Sequence, residues 1–140
     1  MGRISETLTF EEVVELNRQQ IAAYGGSFYE PDNCRNKGSL SFALETIDGS
    51  SFGVEHYPHL SDKAAHLAFT IIRSHVFMDG NKRTAISLIR VFLLINGFDI
   101  EIQTETIDQA ALDIALEVAN KKIGRKDLSA WIAKRIIQVY

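Results

Sequence analysis

The sequence predicts an all-α fold of about six helices around one buried central helix, with a single short hairpin. Three observations predict it. Apolar residues recur at helical spacing along most of the 140 residues. Capping residues open these stretches, and glycines or asparagines close several of them. The segment 46–59 is the least helical, and it holds Asp48-Gly49 between short apolar runs, a hairpin signal.

Taken in order, Thr9 is placed as the N-cap of the first helix, with Glu12 where a capping box puts its acid. Phe10, Val13, Val14, Leu16 and Ile21 form its apolar stripe, and Tyr24-Gly25-Gly26 ends it, with glycine available for a left-handed C-cap. Residues 27–36 carry few periodic signals and are expected as loop, followed by a short helix over 39–45. Beyond the hairpin segment, Ser61 and Asp62 are candidate caps of a helix whose Leu60, Ala64, Leu67, Ala68, Ile71 and Ile72 recur at helical spacing. A break follows at 77–80. The helix expected over 81–96 is apolar nearly all round, from Ala85 and Ile86 to Leu94 and Ile95, which predicts the buried central helix; Asn96-Gly97 ends it. Residues 98–103 alternate briefly and predict an extended link. Two more helices are expected over 106–121 and 127–139, with Ile107, Ala111, Ile114 and Val118, then Leu128, Trp131, Ile132 and Ile136, facing inward.

Composition narrows the class. The length suits one domain over residues 1–140, and 46% hydrophobic residues suffice for an ordinary core. A net charge of −3 argues against broad capture of nucleic acid. The single cysteine, Cys34, forms no intrachain disulfide, and its thiol is expected to be inert. No secretory signal is visible in the opening residues, and no apolar stretch approaches the ~20 residues of a membrane span. The expectation is a cytoplasmic protein without membrane partners.

The most apolar helix begins at the most polar loop. Asn81, Lys82 and Arg83 stand in its first turn, where free N–H groups and the positive end of the helix dipole make cations unfavourable. Two cations there make sense if an anion binds, because a phosphate satisfies the N–H groups, the dipole and the side chains together. Gly80 lets backbone approach such a ligand, and Asp79 offers a hard oxygen suited to Mg²⁺. His75 shares a helical face with Leu60, Ala64, Leu67, Ala68 and Ile71, so it is expected to point inward. An imidazole beside a phosphoryl group is placed to take a proton from an attacking hydroxyl. Phe77 is expected to pin the loop to the core.

The run His75-Val-Phe-Met-Asp79-Gly-Asn-Lys-Arg83-Thr-Ala85 resembles the motif of the Fic/Doc family, specifically its Doc ("death on curing") branch. Tyr24-Gly25-Gly26 and Tyr57-Pro58-His59-Leu60 are also similar to Doc proteins, so the resemblance covers nearly the whole chain. It implies that His75 is the base activating a target hydroxyl and that Asp79 holds Mg²⁺. It implies that Gly80, Asn81, Lys82 and Arg83 hold the phosphates of ATP, and that a flap with Ile47, Phe52 and Val54 holds the target peptide by strand addition.

Two positions choose the branch. Adenylyl-transferring Fic proteins usually have glycine where Lys82 stands and a second arginine where Ile86 stands. Lys82 resembles the Doc toxins, which are kinases: they bind the nucleotide reversed and transfer the γ-phosphoryl group, with a threonine of elongation factor Tu as the family target. Gly80 resembles the adenylyl-transferring branch, whose activity is the alternative. The resemblance also implies a separate Phd-like antitoxin, since no inhibitory helix motif is found: residues 7–11 have its spacing, but Glu12 follows. The antitoxin is expected to cover a cleft between the third and fourth helices.

Other features have plainer readings. Trp131 is expected in the core, and His56, His59 and His66 lack the carboxylate or thiolate that would complete a metal set. Lys121, Lys122, Arg125 and Lys126 sit near a helix C-terminus, where cations offset the dipole.

Overall fold

A reciprocal capping box starts the first helix. The Glu12 N–H donates to Thr9 Oγ1 (3.1 Å) and the Thr9 N–H to Glu12 Oε1 (2.8 Å), opening α1 (Phe10–Tyr24). The computed structural model describes residues 5–101 and 107–139. Among them the order continues with α2 (Lys37–Thr46), β1 (Ser50–Ser51), β2 (Val54–Glu55), α3 (Leu60–Arg73), α4 (Asn81–Ile95), β3 (Phe98–Ile100), α5 (Ile107–Ala119), α6 (Arg125–Ala133) and β4 (Ile136–Gln138). The all-α expectation holds, with six helices and two small antiparallel pairs among the described residues. No helix among them is long and apolar enough to cross a membrane.

The centre is a helix pair rather than one helix. Ala64, Ala65 and Ala68 are fully enclosed, and small residues let neighbouring helices approach α3 closely. α3 packs on α2, α4, α5 and α6, whereas α4 packs on α1, α3, α5 and β3. Leu88, Ile89, Phe92 and Leu93 of α4 are buried, but Ile95 is 42% exposed, and Ile86, Val91 and Leu94 are only half-buried. The near-continuous apolar surface of α4 therefore reflects several partners and an open flank, not complete enclosure.

Three local expectations are corrected. The hairpin exists, but its turn is Phe52-Gly53, both at positive φ (53° and 79°), as a two-residue primed turn requires. Asp48 instead closes the hairpin's base on the core: it accepts from Lys63 Nζ at 2.8 Å and from Ser5 Oγ at 3.0 Å, and Lys63 also donates to the Ile47 carbonyl. Burial pushes the Asp48 carboxyl up, but the Lys63 and Ser5 hydrogen bonds outweigh it and hold it below its ordinary value.

The N-cap of α3 is His59, two residues before the expected Ser61, and its N–H donates to Asp62. The last helix ends at Ala133, and residues 136–138 form β4 on β3, pairing Ile100 with Ile136 and Phe98 with Gln138. Ile132 and Ile136 lie four residues apart, which also fits a helix face. The open edge of β3 and two consecutive β-branched residues decide for strand. The expected link at 98–103 is thus a paired strand over its first three residues; residues 102–106, and the side chain of Ile107, lie outside those described.

His66 gives the fold a pH dependence. Its ring stacks on Tyr57 at 4.1 Å, and its Nδ1 is buried without a hydrogen-bond partner among the described residues. Burial, with a smaller push from Arg125, lowers its pKa from 6.5 to about 4. Between those values the unfolded chain binds more protons, so stability should fall as pH drops from 6.5 and level off below about 4. Discounted for partial exposure, the loss is of the order of 1–2 kcal/mol. Denaturant unfolding across this range should show the slope, and His66→Phe should flatten it; an unchanged slope in the variant would contradict this account.

Candidate active site

The loop between α3 and α4 is built by two left-handed residues. α3 ends in a Schellman motif: the Val76 N–H donates to the Ile71 carbonyl (3.2 Å), and the His75 N–H to the Ile72 carbonyl (3.4 Å). The left-handed position of that motif, usually glycine, is His75 at φ 48°. This turns the residue off the helix face. His75 is exposed, and its ring makes no hydrogen bond among the described residues. The inward orientation read from helical periodicity is therefore corrected, because the helix stops at Arg73.

The chain then dips into the core and returns. Val76 and Phe77 are 0% and 1% exposed. Asn81 clamps this dip: the Phe77 N–H donates to Asn81 Oδ1 and Asn81 Nδ2 to the Phe77 carbonyl, both at 2.9 Å. Its side chain is thus committed to holding the loop. Residues 33–36 lie alongside as a bridge strand, with Arg35 and Asn36 donating to the Val76 carbonyl and Met78 donating to that of Asn33. Cys34 sits in this bridge, where burial first and Asp32 second push its thiol up to about 11, consistent with an inert role.

Gly80 re-enters helix at φ 77°. A Cβ there would lie 3.0 Å from Asn17 Nδ2 and 3.2 Å from Ile21 Cγ1, so close packing on α1 favours glycine as the backbone conformation does. The first turn of α4 contains no acid. The N–H groups of Asn81, Lys82 and Arg83 have no partner among the described residues. Lys82 is exposed, and the Arg83 guanidinium lies 3.7 Å from the Tyr24 ring centroid, held over the end of α1.

Asp79 is fixed from both sides. Its carboxylate accepts from the Ser27 N–H (3.0 Å) and the Gly80 N–H (2.9 Å). Its carbonyl accepts from Asn17 Nδ2 (2.9 Å) and more weakly from Asn33 Nδ2 (3.4 Å). Gly26 makes the first contact possible, since a Cβ there would fall 2.6 Å from Asp79 Oδ2.

A positive helix start, a fixed carboxylate and an exposed imidazole thus stand on one loop. The Fic/DOC family model matches residues 7–93, spanning α1 to α4. The chain belongs to the Fic/Doc family. It is 35% identical over 119 residues to Toxin Doc of Mycolicibacterium smegmatis, covering 84% of this chain and 90% of that protein, which supports the Doc branch.

In this Fic/Doc chain the flap residues separate. Phe52 and Val54 are 105% and 68% exposed on the hairpin, but Ile47 is 2% exposed at the end of α2. Ile47 is therefore core, and its expected place on the flap surface is corrected. A cleft of about 310 Å³ opens on one flank of α4, between Gln20 and Tyr24 of α1, Arg83, Ser87 and Leu94 of α4, and Leu112 of α5.

Asn17, Asn33 and Gly26 were missed as site residues. The available signal was Asn17 itself, a polar residue centred on the stripe of Val13, Val14 and Ile21, where a helix expects an apolar side chain.

The two glycines at the end of α1 give a direct comparison. Gly25→Ala meets no atom within 4 Å, so it should cost only the strain of its positive φ, about 1–3 kcal/mol. Gly26→Ala bears similar strain and must also displace Asp79, so it should cost at least ~1 kcal/mol more. Equal losses in thermal or denaturant unfolding would show that the Asp79 contact is not held as described.

Proposed function

We propose that the chain is a Doc-type toxin kinase that transfers the γ-phosphoryl group of ATP to a serine or threonine hydroxyl of a target protein. The observation that carries this is the start of α4: three N–H groups unpartnered among the described residues, with Lys82 and Arg83 and no acid in the turn. Such a turn is stable against its own dipole when an anion occupies it. Gly80, Asn81, Lys82 and Arg83 would hold the nucleotide phosphates.

The exposed Asp79 carboxylate fits Mg²⁺, which needs only one or two protein carboxylates when it bridges substrate phosphates. Mg²⁺ held there would neutralise phosphate charge. His75, exposed and with its ring unbonded among the described residues, would take the proton of the target hydroxyl as its oxygen bonds to the γ-phosphorus and ADP leaves. The outer edges of the β1–β2 hairpin, which pair with no other strand among the described residues, and the exposed Phe52 and Val54 support strand addition of the target segment.

The kinase reading is favoured over adenylyl transfer by Lys82 and by Ile86, which puts an aliphatic side chain where a second arginine would stand. Gly80 gives the alternative little support, since its left-handed φ and its close packing on α1 already favour glycine there. Likeness to Toxin Doc supports a toxin–antitoxin pair, with a Phd-like antitoxin as partner and elongation factor Tu as the target that the family suggests. Neither a membrane nor nucleic acid is needed as partner, and the action is placed in the cytoplasm, where such a target is found.

The test is transfer of label from γ- and α-labelled ATP to protein in a bacterial extract with Mg²⁺. Wild type should transfer the γ-label only. His75→Ala should lower transfer by ~10²–10⁴-fold. Lys82→Gly should lower it well beyond the ~1 kcal/mol stability cost of glycine in a helix. Transfer of the α-label by wild type would overturn the kinase reading in favour of adenylyl transfer. Full γ-transfer by Lys82→Gly would remove the main support for the branch.

A further inference from the structure

We propose that Asn17, braced by Asn33, is a positioning residue of the active site: it sets the direction of Asp79 and of the α4 start without touching substrate. The proposal rests on the functional reading of that loop. Asn17 is 0% exposed, and both N–H bonds of its amide are used, one on the Asp79 carbonyl and one on Thr84 Oγ1, each at 2.9 Å. Its own oxygen accepts from Asn33 Nδ2 at 2.9 Å.

Asn33 is 1% exposed and left-handed at φ 57°, a conformation asparagine tolerates well. Its Oδ1 accepts from the Tyr29 N–H and its carbonyl from the Met78 N–H. The main-chain groups on both sides of Asp79 are therefore held from these two enclosed residues, the Asp79 carbonyl by the Asn17 amide and the Met78 N–H by the Asn33 carbonyl. With both fixed, the backbone around Asp79 cannot turn, and its carboxylate stays aimed at Ser27 and Gly80 beside the helix start.

Helix propensity and the apolar stripe alone would favour an apolar residue at position 17. Asparagine is a poor helix former, and position 17 lies among Val13, Val14 and Ile21 on the buried stripe of α1. A fully satisfied buried network specifies one geometry instead. The contacts join α1, the 27–36 loop, the catalytic loop and α4, all of which must agree for Asp79 and the N–H groups to face one phosphate.

The experiment compares Asn17→Leu with Asn96→Leu. Asn96 is also buried, and its amide binds the Glu6 backbone and the Phe92 carbonyl, at the opposite end of α4. Both variants lose a buried amide network, so both should lower the melting temperature. Asn17→Leu alone should lower kcat for label transfer, by about 10–100-fold, with KM for the target protein unchanged. It alone should also speed hydrogen exchange at the Met78 and Gly80 amides.

If Asn17→Leu does not fold, Asn33→Gly, which keeps the left-handed backbone, takes its place with the same expectations. A kcat within threefold of wild type in the folded variant, with protection of Met78 and Gly80 retained, overturns the proposal. So does an equal fall in kcat in Asn96→Leu. If wild type transfers neither label, the functional reading fails, and positioning stands or falls on the exchange measurement alone.

Discussion

The hydrogen bonds from Asn17 and Asn33 to the main chain around Asp79 are the interaction on which the rest of the site depends. α3 and α4 are the tightly packed centre, and the chain joins them through a short loop. A loop that short cannot satisfy its own backbone groups. Left-handed turns at His75 and Gly80 change direction twice, and the groups left over are taken by Asn17, Asn33 and Asn81. Each buried donor or acceptor left unmade would cost about 1–3 kcal/mol, so the three asparagines decide whether the loop has one geometry or several.

That geometry concentrates positive potential. The first α4 turn gathers three N–H groups, Lys82 and Arg83 with no acid, a locally unfavourable arrangement offset by the packing of the helix pair below it. Glycine at 26 and 80 allows the end of α1 and the next loop to close against Asp79 and Gly80 without a side chain between them. The Tyr-Gly-Gly at the end of α1 is therefore part of the site's architecture: the tyrosine carries the Arg83 guanidinium, and the second glycine admits the Asp79 carboxylate.

How much of this was legible follows from what is local. Thr9 and Glu12 announced a capping box that exists atom for atom, because both partners lie within one turn. The start of α4 at Asn81 and its end at Asn96-Gly97 were legible for the same reason. The motif loop and its family were legible from its long ordered run. What was not legible is tertiary. Asp48 looked like a turn residue, but it is committed to Lys63, fifteen positions away in sequence. Ile136 fitted a helix face until β3 offered it an edge. His75 looked inward because periodicity assumed the helix continued past Arg73. Asn33 gave no sequence signal at all, since its partners lie in α1 and the loop after α3.

The central claim is that the start of α4 is a preformed anion site held by the asparagine network. It is tested most directly by titrating Mg-ATP into ¹⁵N-labelled protein and following backbone amide shifts. The account predicts that the largest changes fall on the amides of residues 81–83, with little change at Met78, whose N–H is already committed to Asn33. Shifts centred elsewhere, or no saturable shift at residues 81–83, would contradict it.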